Sequence, residues 1–508
     1  MRQPHQAVDS VETYSPAEEL FNRRRRTAGL FLGPAVFVAI LLAPMGGLPP
    51  AAHKLAAILA LMVVLWITEA LPLAVTALAG PVLAVLMSVG PARAVFAPFA
   101  DPIIFLFIGS FILAEAMFVH GLDRRIAFTA LSLRMVGRSP GRILMAYGLV
   151  TAVISMWISN TATTAMMFPL GLALVGHLAQ GREREPEIRR YATAMMLMTA
   201  FAASVGGLGT PVGTPPNLIG LALLRQQAGI DITFDRWMML GLPIVAIVML
   251  GLFAVFYFAA VRGVTFGTAS TNLVRDELKK LGPVTRGQRN VMAAFFLTVF
   301  LWLLPGLFAI TGTGGTAFAR TFALVVPESI AAMIGAILLF VLPVNWAARR
   351  FTLTWDEASG IDWGIVLLFG GGISMGALAD STGLAASMGR GLAGAMDNPS
   401  PLLLTAVFTA VAIVISEAAS NTASATIIVP IAIAVSQAAG VSPLEPALGA
   451  TLGASMGFMM PISTPPNAIV YSSGHVPITE MMRYGVVLDI IGFAVIVTLV
   501  TLLGRVVI

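Results

Sequence analysis

Cysteine is absent from this 508-residue chain, and only 11% of its residues are charged. The missing thiols exclude disulfides, thiol catalysis and zinc-thiolate centres. A soluble domain carries roughly 25% charged residues, so a soluble enzyme of ordinary design is excluded too. The few histidines, His5, His53, His120, His177 and His475, fall near loops and form no metal-spaced pair. No Walker sequence occurs, which removes support for ATP-driven pumping. The strict alternation of a membrane β-barrel is also missing.

What is present is apolar: 57% of the residues, mostly in runs of the length a helix needs to cross a bilayer core of about 30 Å. The chain therefore reads as an all-α polytopic membrane protein. Apolar segments lie near 28–46, 54–69, 73–90, 102–120, 141–178, 191–226, 237–261, 291–311, 327–343, 363–381, 400–437, 446–473 and 485–506. Segments 141–178 and 400–437 are too long for one crossing and too apolar at their middles for a solvated loop. Each is read as a re-entrant hairpin, which leaves eleven crossings. Short spans in place of hairpins keep the same parity.

Net charge is +5, and the bias reports orientation in the bilayer before any nucleic-acid partner. Residues 1–22 are polar, so no cleavable signal peptide is expected. Arg23, Arg24, Arg25 and Arg26 abut the first run and place segment 1–27 in the cytoplasm. The loops with Arg124, Arg125, Arg134, Arg138 and Arg142, with Arg182, Arg184, Arg189 and Arg190, with Lys279, Lys280, Arg286 and Arg289, and with Arg349 and Arg350 then fall on the same side. The opposite loops carry positive charge thinly. The expected location is the plasma membrane, the inner membrane of a bacterium.

The most informative signal is internal duplication. Ser159-Asn160-Thr161-Ala162 matches Ser420-Asn421-Thr422-Ala423, each with a proline nine places after its asparagine, Pro169 and Pro430. Thr214-Pro215-Pro216-Asn217 then matches Thr464-Pro465-Pro466-Asn467. Lipid-facing helices have no packing reason to keep Ser, Asn, Thr and Pro in register. Two repeats are expected, 28–261 and 291–508, joined by a cytoplasmic linker 262–290. Their hairpins open from opposite faces, a construction typical of secondary transporters. The double prolines are expected to break helices at about 191–226 and 446–473, which frees backbone groups at membrane depth.

Neutral oxygens suit a hard monovalent cation. Ser155, Ser159 and Asn160 with the carbonyl near Gly213 are expected to form one sodium site. Ser416, the carbonyl of Ala419, Asn421 and the carbonyl near Ser463 form its mate. Helix N-termini after each tip suit an anion. A small multicarboxylate or sulfate is expected between the tips, held by Asn160, Thr161, Asn421, Thr422, Thr214 and Thr464, with Ser159, Ser420, Pro215 and Pro465 beside them. Against this, Ser and Thr in membrane helices often bond a preceding carbonyl or glue helices together.

Acids in or beside the spans are Glu69, Asp101, Glu115, Glu328, Asp362, Asp380, Glu417 and Asp489. Only Asp101 and Asp362 pair across the repeat, and helix capping explains both. Glu417, beside the second tip, is the acid to test first. The methionine-rich stretch Met195, Met196 and Met198 is read as packing.

Paired Ser-Asn-Thr tips with paired Thr-Pro segments, and the run from Ala454 to Val470, resemble the divalent anion:sodium symporter family over the whole spanning region. The resemblance implies a homodimer, eleven spans with two hairpins, and a scaffold domain beside a transport domain that moves as an elevator. It also implies sodium and substrate at the positions assigned above. Ser416 stands where threonine also occurs in the family. The interval from Asn160 to Asn217 is eleven residues longer than that from Asn421 to Asn467, attributed here to the charged 181–191 loop.

The expected function is sodium-coupled symport of a C4-dicarboxylate such as succinate, malate or fumarate. Sulfate or citrate symport and dicarboxylate exchange are the rivals within transporters. A passive channel is separated from them by accumulation against a gradient. An intramembrane enzyme needs a nucleophile, metal or acid–base cluster at depth, and the sequence offers none.

Overall fold

A computed structural model describes residues 16–133, 139–179, 185–264, 272–394 and 399–507. His5 of the histidine reading and Arg134, Arg138, Arg182 and Arg184 of the orientation reading lie outside the described residues. Helices dominate, and among the described residues the only strands are the short antiparallel pair Pro343–Asn345 and Arg350–Phe351. Among the described residues ten helices are long and apolar enough to cross a membrane, or eleven if the bent pair Ala317–Val325 and Glu328–Val341, angled at 66°, counts as one span.

The first helix runs Pro16–Leu42, so the arginine cluster lies within it, not in a preceding tail. It packs on Pro50–Thr68, and Arg25 reaches Glu69 at 2.8 Å just past that helix's end. A second group forms around Pro102–Val119, which packs on Glu328–Val341, while Trp363–Ser381 packs on Leu73–Leu86. These two groups flank the duplicated elements.

Each long polar-tipped segment is a helix–turn–helix: Pro140–Ser155 with Asn160–Ala179, and Pro401–Ala418 with Asn421–Ala438. Each helix of the second pair is by itself long and apolar enough to span. Both double-proline segments interrupt a helix, as the loss of a backbone donor requires. The first break separates Pro186–Gly206, extended by a 3-10 turn at Gly207–Gly209, from Pro215–Ala228. The second lies between Leu444–Gly453 and Pro465–Tyr471 and is longer.

The length difference between the repeats needs correcting. Relative to the matched asparagines, Pro186–Gly206 begins two turns earlier than Leu444–Gly453, so most of the additional residues are helical. Glu187, Arg189 and Arg190 form its first turns. The charge of 181–191 had marked a loop, but proline at the first helical position starts a helix well.

Packing crosses between the repeats. Pro215–Ala228 of the first lies against Asn421–Ala438 and Leu444–Gly453 of the second, and Pro465–Tyr471 lies against Asn160–Ala179 and Pro186–Gly206. Phe201 meets Phe458 edge-on at 5.0 Å, and the Gln437 side chain donates to the Gln227 carbonyl at 2.9 Å. The apolar stretch of Pro186–Gly209 is wholly buried, so this helix sits at the centre of the assembly, with Met195, Met196 and Met198 in its packing.

Candidate functional site

The two tips are built alike. In the first, Ser155 Oγ donates to Asn160 Oδ1 at 2.8 Å, and Ser159 Oγ caps the next helix by accepting from Ala162 N at 3.3 Å. In the second, Ser416 Oγ donates to Asn421 Oδ1 at 2.7 Å, and Ser420 Oγ accepts from Ala423 N at 3.2 Å. Ser416 Oγ also lies 2.7 Å from the Ala454 carbonyl. Ser155 and Ser416 are fully buried, whereas Asn160, Asn421 and Thr422 are half-buried and Thr161 is exposed. Each tip thus has a buried hydroxyl–amide floor under a polar rim that faces outward.

The breaks are clasped by their asparagines. Asn217 Nδ2 donates to the carbonyls of Gly207 and Thr210 at 2.9 and 2.8 Å. Asn467 Nδ2 donates to those of Gly457 and Met460 at 3.1 and 2.9 Å. Both side-chain oxygens are buried without a hydrogen-bond partner. In the sequence these residues stand only as parts of a motif. The signal for more was there, because the amide sits at one offset from a glycine in both repeats.

Those glycines bring break and tip together. A methyl group at Gly207 would stand 2.4 Å from Asn160 Oδ1, and one at Gly457 would stand 3.0 Å from Ser416 Oγ and 3.2 Å from Asn421 Oδ1. Backbone therefore presses on each tip, with no room for a side chain at Gly207 and only tight room for a methyl at Gly457. Gly213 abuts Gly207, since a methyl there would meet the Gly207 carbonyl at 2.5 Å. Ser155, Asn160, Gly207 and Gly213 accordingly form one contiguous oxygen-rich group.

In the second repeat Ser463 takes a different part. Its Oγ donates to the Glu417 carbonyl at 3.0 Å and the Glu417 carboxylate at 2.7 Å. The matching contact in the first repeat comes from Thr210, whose hydroxyl donates to the Met156 carbonyl. Ala419 caps the helix before the tip, and its amide returns to the Ile415 carbonyl at 2.8 Å. Thr214 and Thr464 are buried N-caps of the half-helices beginning at Pro215 and Pro465; Thr464 Oγ1 accepts from Asn467 N at 3.3 Å. Pro215 is half-buried and Pro465 exposed. Among the described residues no hydrogen bond joins Ser159–Thr161 directly to Ser420–Thr422.

Capping accounts for the acids paired by the repeat: Asp101 accepts from Ile103 N at 2.9 Å and Asp362 from Ile365 N at 3.2 Å. Asp101 also holds Arg225 at 2.6 Å and Gln226 at 2.8 Å. Among the described residues no group of three or more His, Asp or Glu is placed to hold a metal. Serine, asparagine and backbone carbonyls suit alkali cations instead, and four helix N-termini add partial positive charge for an anion.

Helices long enough to span, a duplicated hydroxyl–amide tip and a duplicated proline break define a polytopic membrane protein of secondary-transporter architecture. The family model described as sodium:sulfate symporter transmembrane region matches residues 24–508, and the chain belongs to that family, the divalent anion:sodium symporters. It is 34% identical over 479 residues to the sodium-dependent dicarboxylate transporter SdcS of Staphylococcus saprophyticus, covering 93% of this chain and 90% of that protein. It is 33% identical to SdcS of Staphylococcus aureus over 484 residues, with the same coverage. In fold it is similar to the Alcanivorax borkumensis YdaH transporter, at 14% identity and a TM-score of 0.52 over 80% of this chain and 85% of that one. MtrF of Neisseria gonorrhoeae, also 14% identical, gives a TM-score of 0.50 over 82% and 84%.

Proposed function

We propose that the protein is a sodium-coupled symporter of C4-dicarboxylates such as succinate, malate and fumarate. The observation that carries this is the duplicated tip, with Ser155 to Asn160 at 2.8 Å and Ser416 to Asn421 at 2.7 Å, each backed by a glycine of a clasped break. The dicarboxylate comes from the printed names of relatives that match the chain over nine-tenths of their length. Sulfate is the second reading, favoured by the family's description; citrate symport and dicarboxylate exchange complete the alternatives.

In this reading sodium is cargo. One ion takes Ser155, Ser159, Asn160 and the carbonyl near Gly213; the other takes Ser416, the Ala419 carbonyl, Asn421 and the carbonyl near Ser463. The substrate dianion lies over the rim, held by Asn160, Thr161, Thr214 and their counterparts Asn421, Thr422 and Thr464, with Ser159, Ser420, Pro215 and Pro465 alongside. Sodium beneath each asparagine fixes its amide and adds positive charge under the anion. Each ligand then raises the other's affinity by the same factor.

The repeats 28–261 and 291–508 insert in opposite senses, with re-entrant hairpins at 141–178 and 400–437. The N-terminus faces the cytoplasm of a bacterium whose plasma membrane houses the protein as a homodimer. The flanking helices serve as scaffold, and the hairpins and broken helices move past them as an elevator. Radiolabelled succinate uptake into proteoliposomes tests the function. Accumulation driven by an inward sodium gradient is expected; equal uptake with choline removes the coupling.

A further inference from the structure

Trp363–Ser381 lies between the flanking helices and the duplicated elements, and its glycines meet the two sides differently. A methyl at Gly371 would stand 2.2 Å from the Ala77 carbonyl oxygen, and one at Gly370 would stand 2.2 Å from the Phe99 ring. Toward Leu73–Leu86 this helix is therefore seated on close-packed backbone and ring, which have little room to give. Toward the duplicated elements a methyl at Gly372 would meet the Thr426 methyl at 2.8 Å, and one at Gly376 the ends of Gln227 and Leu223 at 2.7 and 2.9 Å. These are side-chain tips, and packed helices shear past one another at such contacts.

A polar fastening stands beside Gln227. Arg225 and Gln226, at the end of Pro215–Ala228, both reach Asp101 at the start of Pro102–Val119, at 2.6 and 2.8 Å. The donors belong to a broken helix and the acceptor to a flanking one. Each side tolerates separation. Asp101 keeps the bond from Ile103 N, and Arg225 sits in the last turn of its helix, where the dipole favours a cation. The Asp101 side chain is 11% exposed and that of Arg225 37%, so water reaches the pair and can take its place. A fully buried pair would leave uncompensated charges on parting.

We propose that Arg225, Gln226 and Asp101 form a releasable latch between the moving and the fixed parts of the protein. It holds the broken helix of the first repeat against the flanking helices in the arrangement described, and it parts each time the duplicated elements slide along Trp363–Ser381. The proposal rests on the elevator reading above and adds the residues that stabilise one end of the movement.

The chain has no cysteine, so an introduced pair can report the latched arrangement. A Cβ at Gly372 would lie 3.9 Å from the Thr426 Cβ, inside the span of roughly 3.5–4.5 Å that a disulfide takes. Full-length Gly372→Cys/Thr426→Cys is reconstituted in proteoliposomes with sodium and succinate, and closure of the pair by a mild oxidant is timed. Uptake is expected to stop as the bond closes and to return on reduction. Adding Arg225→Gln, or the isosteric Gln226→Glu that sets a second carboxylate against Asp101, is expected to slow closure severalfold, toward the factor of about ten that one charged hydrogen bond carries. Arg225→Lys is expected to slow it less. Asp101 is left intact because it also caps its helix. Closure at the parent rate in both variants, or no closure at all, overturns the latch. A closed pair that still transports contradicts the elevator reading, whatever the closure rates. If the cysteine pair is not recovered as a monodisperse protein, Gln226→Glu alone carries the test: a displaced maximal uptake rate at an unchanged KM for succinate is expected, and wild-type kinetics overturn the latch.

Discussion

Asn217 and Asn467 make the same two hydrogen bonds in the two halves of the chain, each to the carbonyls ten and seven residues before it. A helix cannot continue through Thr-Pro-Pro, so its last carbonyls lose their donors. The asparagine amide returns two of them, one to the glycine that presses on the tip. Break, clasp and tip are thereby one mechanical unit, present twice.

Replacing either asparagine by alanine leaves two buried carbonyls without their donor, at a cost of about 1–3 kcal/mol per unsatisfied group. The expected result is a weaker sodium site in that repeat, with half-saturation raised roughly tenfold or more. Sodium titration of the melting temperature, compared with choline, measures it. An unchanged half-saturation in both Asn217→Ala and Asn467→Ala would show that the clasp has no bearing on the tips.

The glycines beneath the tips predict an asymmetry. A methyl at Gly207 overlaps Asn160 Oδ1 at 2.4 Å, whereas one at Gly457 has 3.0 Å or more to its nearest neighbour. Gly207→Ala must displace the amide, and Gly457→Ala needs a shift of only tenths of an ångström. Overpacking of the first kind costs about 1–3 kcal/mol. Uptake assays are expected to show near-complete loss for Gly207→Ala and partial activity for Gly457→Ala; the opposite order contradicts the packing described.

Asp101 and Asp362 act as helix caps, so asparagine, an equally good cap, should replace either with uptake and its pH profile retained. Alanine should lower the melting temperature, more at Asp101, which also holds Arg225 and Gln226. A pH profile displaced in Asp101→Asn would point to a proton relay instead.

Outside the spans, burial pushes the Asp123 carboxyl up to about 6 from 3.8, against the lowering effect of Arg124. The native state therefore binds more protons than the unfolded one between these values, and stability falls as pH rises through that window. Asp123→Asn is expected to remove this slope and to raise the melting temperature at neutral pH by a few degrees, for a gain of about 2–3 kcal/mol at most. Parallel melting curves from pH 4.5 to 7.5 check it; a variant that melts lower at neutral pH contradicts the burial argument.

Much of this architecture was legible in the sequence because membranes allow few solutions. Apolar run length marked the spans, and polar residues in register marked the candidate site: the Ser155–Asn160 and Ser416–Asn421 bonds link residues singled out from spacing alone. Less legible was anything set by packing across the chain. Helical start at Pro186 was hidden by arginines that read as a loop. The arginines at 23–26 proved helical, continuous with the apolar run, and Arg25 finds its partner Glu69 forty-four residues away. Glu417 stood out for its place beside the tip, yet its bonds to Phe458, Met459 and Ser463 depend on how the second broken helix packs, which no local pattern encodes.

The absence of native cysteine allows the central claim, that two tips grip one anion together with sodium, to be measured directly. Thr161→Cys and Thr422→Cys are made singly, and the rate of maleimide labelling is followed with succinate, with sodium, and with both. The account predicts that both positions are protected by succinate in sodium and that neither is protected by succinate in choline. Protection of one tip alone, or protection that ignores sodium, would contradict it.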